Sequence, residues 1–413
     1  MNNYQPKARV ILLTALLFTC LLGGSCTIDR DFNNQLRSIA KPYHFNLVAW
    51  EFDNIFDVIH KAFEKRSENT EEGVDKVIEY FSTVGRIKSL RREIAAITAG
   101  DEQGDLAALE AELNKLERQS MPPSDAVEEV IERQVREVLS QQDIFNPLGK
   151  YLKLKVGFPP LNFKLDDPIH LLVISPRDRI ESMREILLLQ HLAIDDMEDI
   201  EAGVDKLDVS SLVVELGGFA CYPSFVTNKG DLRFTIDAAT EEWLHQYLTF
   251  KPLGFRYLLD LIGISRNYEI ATINETLVGI VSKEIGVIVY EKYYAQEDNS
   301  DNKPEAKGLK FDFDHEMREI RRAVDKYLAQ GNIEQAEQFM EQKRQYLAEN
   351  GYHIRKLNQA YFAFHGAYAD KPSSISPIGE ELKKLRQQSD SMKDFFETVA
   401  TMTSRQDLAE SIK

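Results

Sequence analysis

The chain has 413 residues, of which 43% are apolar and 28% are charged, a composition typical of a soluble globular protein with one or two domains. Acidic side chains outnumber basic ones by 67 to 50, which gives a formal net charge of −17. Because nucleic-acid binders need a basic surface for the phosphates, this charge argues against a nucleic-acid partner.

The N-terminal residues 1–26 have the layout of a secretory signal. A lysine and an arginine precede an apolar run from Val10 to Leu22, and small residues lead from there to Cys26. These are the marks of such signals, and Cys26 resembles the lipidated cysteine of bacterial lipoproteins. Gly23 stands where those sites usually carry an aliphatic residue, so an uncleaved membrane anchor is the alternative. Both readings predict a membrane-anchored, extracytoplasmic protein of the bacterial cell envelope.

The front of the chain is predicted to be helical after a tether at residues 27–47. Apolar residues recur with helical spacing in three stretches, residues 48–63, 74–97 and 106–116. A turn at residues 99–101 lets the two later helices pack as an antiparallel hairpin, and Pro122-Pro123 ends it. We therefore expect residues 48–150 to form a helical hairpin region, either as a scaffold or as an arm that binds a partner.

The middle of the chain changes to strand-like patterns. Short apolar or weakly alternating runs occur at residues 159–165, 170–176 and 211–218. Residues 219–226 extend the last run beyond a glycine pair, residues 179–192 are predicted as a helix, and residues 232–236 are predicted as a further strand. A small sheet is therefore expected within residues 160–236.

The last third is predicted to be helical again. A polar loop at residues 297–310 precedes a helical hairpin at 314–350 and a C-terminal tail at 351–413. The expected fold class is α+β and predominantly helical. Residues 151–413 are expected to form one domain, which contains the sheet and two helices within residues 237–294.

The strongest chemical pattern is Glu241-Glu242-Trp243-Leu244-His245, followed thirty residues later by Glu275 in Asn274-Glu275-Thr276. Positions i and i+4 of a helix lie on one face, so Glu241 and His245 point the same way, and Glu242 is offset by about a hundred degrees. Small residues follow Glu275 at helical spacing, namely Gly279, Ser282 and Gly286. Such a stripe allows a close helix–helix approach, so Glu275 can reach a metal held by the first helix.

This two-helix pattern resembles the gluzincin metallopeptidases, the thermolysin-like zinc enzymes with H-E-x-x-H on one helix and N-E on a later one. The surrounding residues resemble an uncharacterised family of bacterial lipoproteins and aminopeptidase-like proteins, which is expected to carry H-E-W-x-H-x-Y-L, N-E-T and E-I-G. Here residues 242–248 read E-W-L-H-Q-Y-L, residues 274–276 read N-E-T and residues 284–286 read E-I-G. The tail at residues 358–368 also resembles that family. The match covers about residues 215–290 and 350–372.

The resemblance implies a zincin-like domain and assigns roles to four residues of the two helices. His245 and Glu275 would be metal ligands, Glu241 would replace the first histidine, and Glu242 would be the general base for the attacking water. Two carboxylates and one imidazole make a divalent site formally neutral, which weakens its Lewis acidity and shifts its preference from zinc toward harder ions such as manganese. Three outcomes stay open, namely an active enzyme with an unusual ligand set, a slow enzyme and a metal-free descendant.

The resemblance also assigns roles outside the two helices. Tyr361, His365 and Tyr368 would be candidates to hydrogen-bond the oxyanion of the tetrahedral intermediate. His353 and His365 are both alternatives for the missing ligand, and the strand at residues 217–226 would hold an extended peptide by backbone pairing. The expected function is an extracytoplasmic metallopeptidase that hydrolyses a peptide or protein substrate. The alternative is a catalytically impaired homologue that binds peptides or envelope proteins.

Overall fold

The computed structural model describes residues 30–54, 71–99, 104–118, 122–147, 157–261, 263–295, 311–369, 371 and 373–412. The predicted signal with Cys26, most of the helix predicted at 48–63 and the whole polar loop at 297–310 therefore lie outside the described residues. No helix in the described ranges combines the length and the apolar composition that a membrane span requires.

The fold is α+β and predominantly helical, as predicted from the sequence. The helices before and within the sheet region are Arg30–Ala40 (α1), Glu71–Ala99 (α2), Leu106–Arg118 (α3), Ser124–Gln141 (α4) and Ile194–Asp205 (α5). The later helices are Leu232–Leu248 (α6), Pro252–Leu261 (α7), Tyr268–Tyr293 (α8), Phe313–Ala329 (α9), Ile333–Glu349 (α10), Gln359–His365 (α11), Ile378–Gln388 (α12), Met392–Ala400 (α13) and Arg405–Ser411 (α14). The strands are Phe163–Asp166 (β1), His170–Pro176 (β2), Arg184–Leu188 (β3), Val209–Glu215 (β4), Gly218–Phe219 (β5) and Ser224–Thr227 (β6).

The predicted helical hairpins are present. In the first, Arg86 of α2 pairs with Glu112 of α3 at 2.8 Å, and the chain reverses between the two helices. In the second, α9 and α10 are separated by a turn at Gly331, whose positive φ of 74° suits glycine. The tether predicted at residues 27–47 is wrong in part, because α1 buries Leu36 and Ala40 against the sheet and α5.

Two three-stranded sheets lie between residues 163 and 227. One has the order β3-β2-β4 and is antiparallel, and the other has the order β1-β6-β5, in which β1 and β6 are parallel and β5 is an antiparallel edge strand. The predicted strands at residues 170–176 and 211–218 correspond to β2 and β4.

Two local predictions are wrong. Within the helix predicted at residues 179–192, Arg184–Leu188 pairs with β2, so the tertiary pairing overrides an apolar spacing that also fits a helix. Residues 232–236 are not a strand but the first turns of α6. The Asp231 carboxylate accepts the Phe234 N–H at 2.7 Å and thereby caps that helix.

The largest hydrophobic core surrounds α6 and α8, and α6 begins at Leu232, before the start predicted at residue 237. Leu244 on α6 packs there with Ile273, Leu277 and Val281 on α8. Two positions of the small-residue stripe of α8 face α6: Ser282 lies by Glu241, and a Cβ at Gly286 would overlap the carboxylate of Asp237, whereas Gly279 lies by Tyr368. The two helices therefore approach closely enough for side chains of both to meet.

Candidate metal centre

The rotation of α6 is fixed by its buried face. Trp243, Leu244 and Tyr247 are buried in the core, and the Trp243 indole N–H donates to the carbonyl of Pro159 at 2.8 Å. The side chains of Glu241, Glu242 and His245, on the other side of the helix, are only partly buried. The helix therefore directs its chemically active side chains away from the core.

Glu241, His245 and Glu275 converge as the sequence predicts. One candidate ligand atom of each residue lies within 4.8 Å of those of the other two, so the described residues contain a group that can hold a metal ion. His245 Nε2 lies 3.6 Å from Glu275 Oε2. Two ligands bound at about 2.1 Å in tetrahedral geometry lie about 3.4 Å apart, so this pair already has nearly the required spacing. Ser282 Oγ, on the small-residue stripe, lies 3.5 Å from Glu241 Oε2.

The charges of the group favour a cation at its centre. Burial disfavours the imidazolium, but the carboxylates of Glu275, Glu242 and Glu241 outweigh it and raise the pKa of His245 to about 9. Burial also raises the pKa of Glu241, whereas His245 and two tyrosine hydroxyls hold that of Glu275 below its usual value despite burial. In the metal-free protein, a proton on His245 therefore balances part of the negative charge.

The His245 ring is oriented for ligation through one nitrogen. Its Nδ1 atom is buried and has no hydrogen-bond partner among the described residues, whereas Nε2 faces the carboxylates. An imidazole nitrogen and two carboxylate oxygens form a donor set that suits zinc or a harder divalent ion. The residues present therefore fit a divalent metal ion.

Glu242 lies beside the triad and against the edge strand β5. A Cβ at Gly218 would overlap Glu242 Oε1, so the glycine is required for the close approach of the strand to this carboxylate. Burial, reinforced by the charges of Glu241 and Glu275 and opposed by His245, raises the pKa of Glu242 to about 8. The partly buried carboxyl is thus held between the helix that carries the triad and the edge of a sheet.

Two tyrosines reach the carboxylates. The hydroxyl of Tyr368, a predicted oxyanion donor, lies near both Glu241 and Glu275 and acts to lower the pKa of each carboxyl. Tyr257 on α7 donates its hydroxyl to Glu275 Oε1 and stacks its ring on His245. The sequence reasoning missed Tyr257, because no helical spacing relates α7 to the two motif helices.

The other tail residues are not joined to the triad. Tyr361 and His365 contact each other, with ring centroids 4.3 Å apart, and no hydrogen bond or ion pair links their side chains to the triad within the described ranges. Burial and the Lys371 ammonium lower the pKa of His365 to about 4, so this ring is neutral at pH 7. His353 is exposed, and neither histidine belongs to the candidate metal group, so neither supplies the missing ligand.

Comparisons of the chain with protein-family models, with curated proteins and with solved structures give no match. The convergence of Glu241, His245 and Glu275 therefore rests on the geometry of this chain alone, and the resemblance to metallopeptidases stays a prediction.

Proposed function

We propose that the protein is a metal-dependent hydrolase that cleaves peptide bonds. The observation that carries the proposal is the convergence of Glu241, His245 and Glu275 from two helices, with the carboxyl of Glu242 on the next position of the same helix. A bound divalent cation would supply Lewis acidity and would lower the pKa of a water molecule.

The residues around the triad support a role in peptide hydrolysis. With a cation in the triad, whose charge would lower the pKa of Glu242 from its metal-free value of about 8, the Glu242 carboxylate could take a proton from an attacking water and return it to the leaving amine. Among the described residues no strand pairs with the outer edge of β5, so this edge can pair with an extended peptide backbone, which would place a peptide bond beside Glu242. The Tyr368 hydroxyl, close to Glu241 and Glu275, is the tail group best placed to donate to an oxyanion.

A second candidate function is peptide binding without catalysis. It is favoured by the ion pair between His245 and Glu275, which balances charge in the group without any metal. On this hypothesis the protein binds peptides or envelope proteins at the edge of β5.

Metal analysis of the purified full-length protein tests the proposal first. We expect about one equivalent of zinc or manganese and hydrolysis of a fluorogenic peptide library at saturating metal. Glu275→Gln should lose the metal, and Glu242→Gln should retain the metal and lose hydrolysis. Glu284→Gln is the control, because Glu284 is another glutamate of α8 that lies outside the triad and pairs with Arg386 at 2.9 Å, although it is more exposed than the buried Glu275.

The second candidate function predicts different results. The wild-type protein would retain no metal, and Glu241→His would create both zinc binding and hydrolysis. Hydrolysis that persists in Glu242→Gln would contradict the proposed role of that residue.

We further propose that the N-terminal segment anchors the protein in the bacterial envelope. Support comes from the apolar run Val10–Leu22 and from Cys26, which follows small residues. Metabolic labelling with a radioactive fatty acid should mark the wild-type protein and not Cys26→Ser. Membrane association without labelling would indicate an uncleaved anchor, and recovery in the cytosolic fraction would contradict the proposal.

A further inference from the structure

One side chain, Tyr257, contacts two of the three candidate ligands. Its hydroxyl donates to Glu275 Oε1, and its ring is stacked on the imidazole of His245 with centroids 5.8 Å apart and an interplanar angle of 28°. Tyr257 belongs to α7, a helix that carries no member of the metal group. We propose that Tyr257 is a positioning residue that sets the orientation of Glu275 and His245 before the ion binds. This inference rests on the metal binding in the proposed function.

The two oxygens of Glu275 have different partners. Oε1 accepts the hydrogen bond from Tyr257, whereas Oε2 faces His245 Nε2 at 3.6 Å. A carboxylate held at one oxygen by a phenol presents the other oxygen as a single ligand atom. Residues that hold metal ligands in this way increase the affinity for the metal. They restrict the side-chain conformations of the ligands beforehand, so less conformational entropy is lost when the ion binds.

The ring of Tyr257 restrains the second ligand. Since His245 Nδ1 has no hydrogen-bond partner among the described residues, no polar contact at that nitrogen fixes the ring plane. The stacked face of Tyr257 limits rotation of the imidazole and keeps Nε2 directed toward the carboxylates.

Both ends of α7 are held, so Tyr257 has a defined place relative to both motif helices. At the start, the backbone of Gly254 lies against the Leu248 carbonyl at the end of α6, and a Cβ at Gly254 would overlap that oxygen. At the end, the buried Asp260 accepts the N–H of Asn267, the N-cap residue of α8, at 2.6 Å. Tyr257 lies midway between these two attachments.

Metal titration of tyrosine variants of the full-length protein tests this inference. Tyr257→Phe removes the hydroxyl and keeps the ring, and Tyr257→Leu removes both. Tyr247→Phe is the matched control, because the Tyr247 hydroxyl also donates to a glutamate, Glu397 at 2.9 Å, which lies outside the triad of Glu241, His245 and Glu275. Calorimetry with Zn²⁺ and Mn²⁺ should show about 10- to 100-fold weaker binding for Tyr257→Phe. Binding should be weaker still for Tyr257→Leu and unchanged for Tyr247→Phe.

Peptide hydrolysis separates positioning from direct catalysis. At saturating metal, Tyr257→Phe should recover the wild-type kcat, because a positioning residue acts through metal occupancy. A kcat that stays low at full occupancy would show that the hydroxyl acts on the substrate and would overturn the inference.

Two further outcomes distinguish this inference from the proposed function. Equal metal affinity of Tyr257→Phe and the wild type overturns the inference and leaves the proposed function standing. Absence of metal binding in the wild type overturns both. Affinity is measured on samples whose circular dichroism matches the wild type. If Tyr257→Phe binds metal weakly and the melting temperature of the metal-free variant is also lower than that of the wild type, the role of Tyr257 is merely structural. That result would overturn the inference.

Discussion

The replacement Gly218→Ala should displace Glu242 without changing any titratable group. A Cβ at position 218 would overlap Glu242 Oε1 and would stand 3.0 Å from both Cγ and Cδ of that side chain. Carbon atoms pack at roughly 3.5–4.0 Å, so the carboxyl would have to move by roughly 0.5–1 Å. Since a misplacement of about 1 Å can cost ~10²-fold in rate, we expect kcat to fall by up to that factor. The triad itself is not contacted, so metal affinity should stay unchanged.

The assay is peptide hydrolysis at saturating metal, with metal affinity measured in parallel. Gly217→Ala is the matched control, because it adds the same methyl group to the neighbouring residue. There the Cβ would stand 2.7 Å from Cζ of Phe234 rather than against Glu242. Gly217→Ala should therefore cost about 1–3 kcal/mol of stability by overpacking and should retain its turnover.

A wild-type kcat in Gly218→Ala, alongside an inactive Glu242→Gln, would refute the reasoning that β5 fixes the position of the catalytic carboxyl. Equal losses of kcat in both glycine variants would attribute the effect to a distorted strand. Weaker metal binding in Gly218→Ala would show that the change reaches the triad.

Three further predictions concern stability. Arg355→Met should lower the free energy of unfolding by about 3 kcal/mol, because among the described residues it leaves the buried Glu201 with only Lys356, at 3.4 Å, as an ionic partner. Glu51→Gln should stabilise the protein above pH 7 by up to roughly 3 kcal/mol, and this effect should vanish as the pH falls well below 4.5. Burial raises the pKa of Glu51 from 4.5 to about 7, so the folded protein holds the proton more tightly and wild-type stability falls as pH rises through this window. Zinc or manganese at 100 times its Kd should stabilise the wild type by about 2.7 kcal/mol and should not stabilise Glu275→Gln.

Urea unfolding at several pH values, with and without metal, checks all three. An unchanged midpoint in Arg355→Met would mean that Lys356 replaces the lost partner fully. A pH-independent difference for Glu51→Gln would contradict the assigned pKa. Metal stabilisation that persists in Glu275→Gln would place the ion elsewhere.

The long helices could be predicted from the sequence because their apolar residues recur at helical spacing. The central strands could be predicted because each is a short apolar run bounded by residues typical of turns. The failures at residues 184–188 and 232–236 have different causes. Arg184–Leu188 carries a short apolar run that fits either period, and only its pairing with β2 makes it a strand. Residues 232–236 resemble a strand locally, but the cap provided by Asp231 begins a helix there.

The candidate metal group was predictable from two helical patterns and a resemblance to a known two-helix motif. The spacing of Glu241 and His245 places them on one helical face, and the small residues after Glu275 predict the close approach of the second helix. The tail was less predictable, since three aromatic or imidazole side chains within eight residues were equally plausible oxyanion donors. The fold brings Tyr368 to the carboxylates and leaves Tyr361 and His365 in contact with each other.

By itself, the sequence determined the fold class and the helical hairpins, because hydrophobic periodicity acts within single elements. It also predicted the metal group, through the i, i+4 spacing of Glu241 and His245 and through the resemblance that adds Glu275 from a second helix. The tertiary structure decided which further side chains surround that group. Tyr257 reaches Glu275 because α7 is attached to the ends of both motif helices, and Glu242 meets Gly218 because β5 is an edge strand beside α6. Such contacts depend on how separate elements pack, and no residue pattern along one element specifies them.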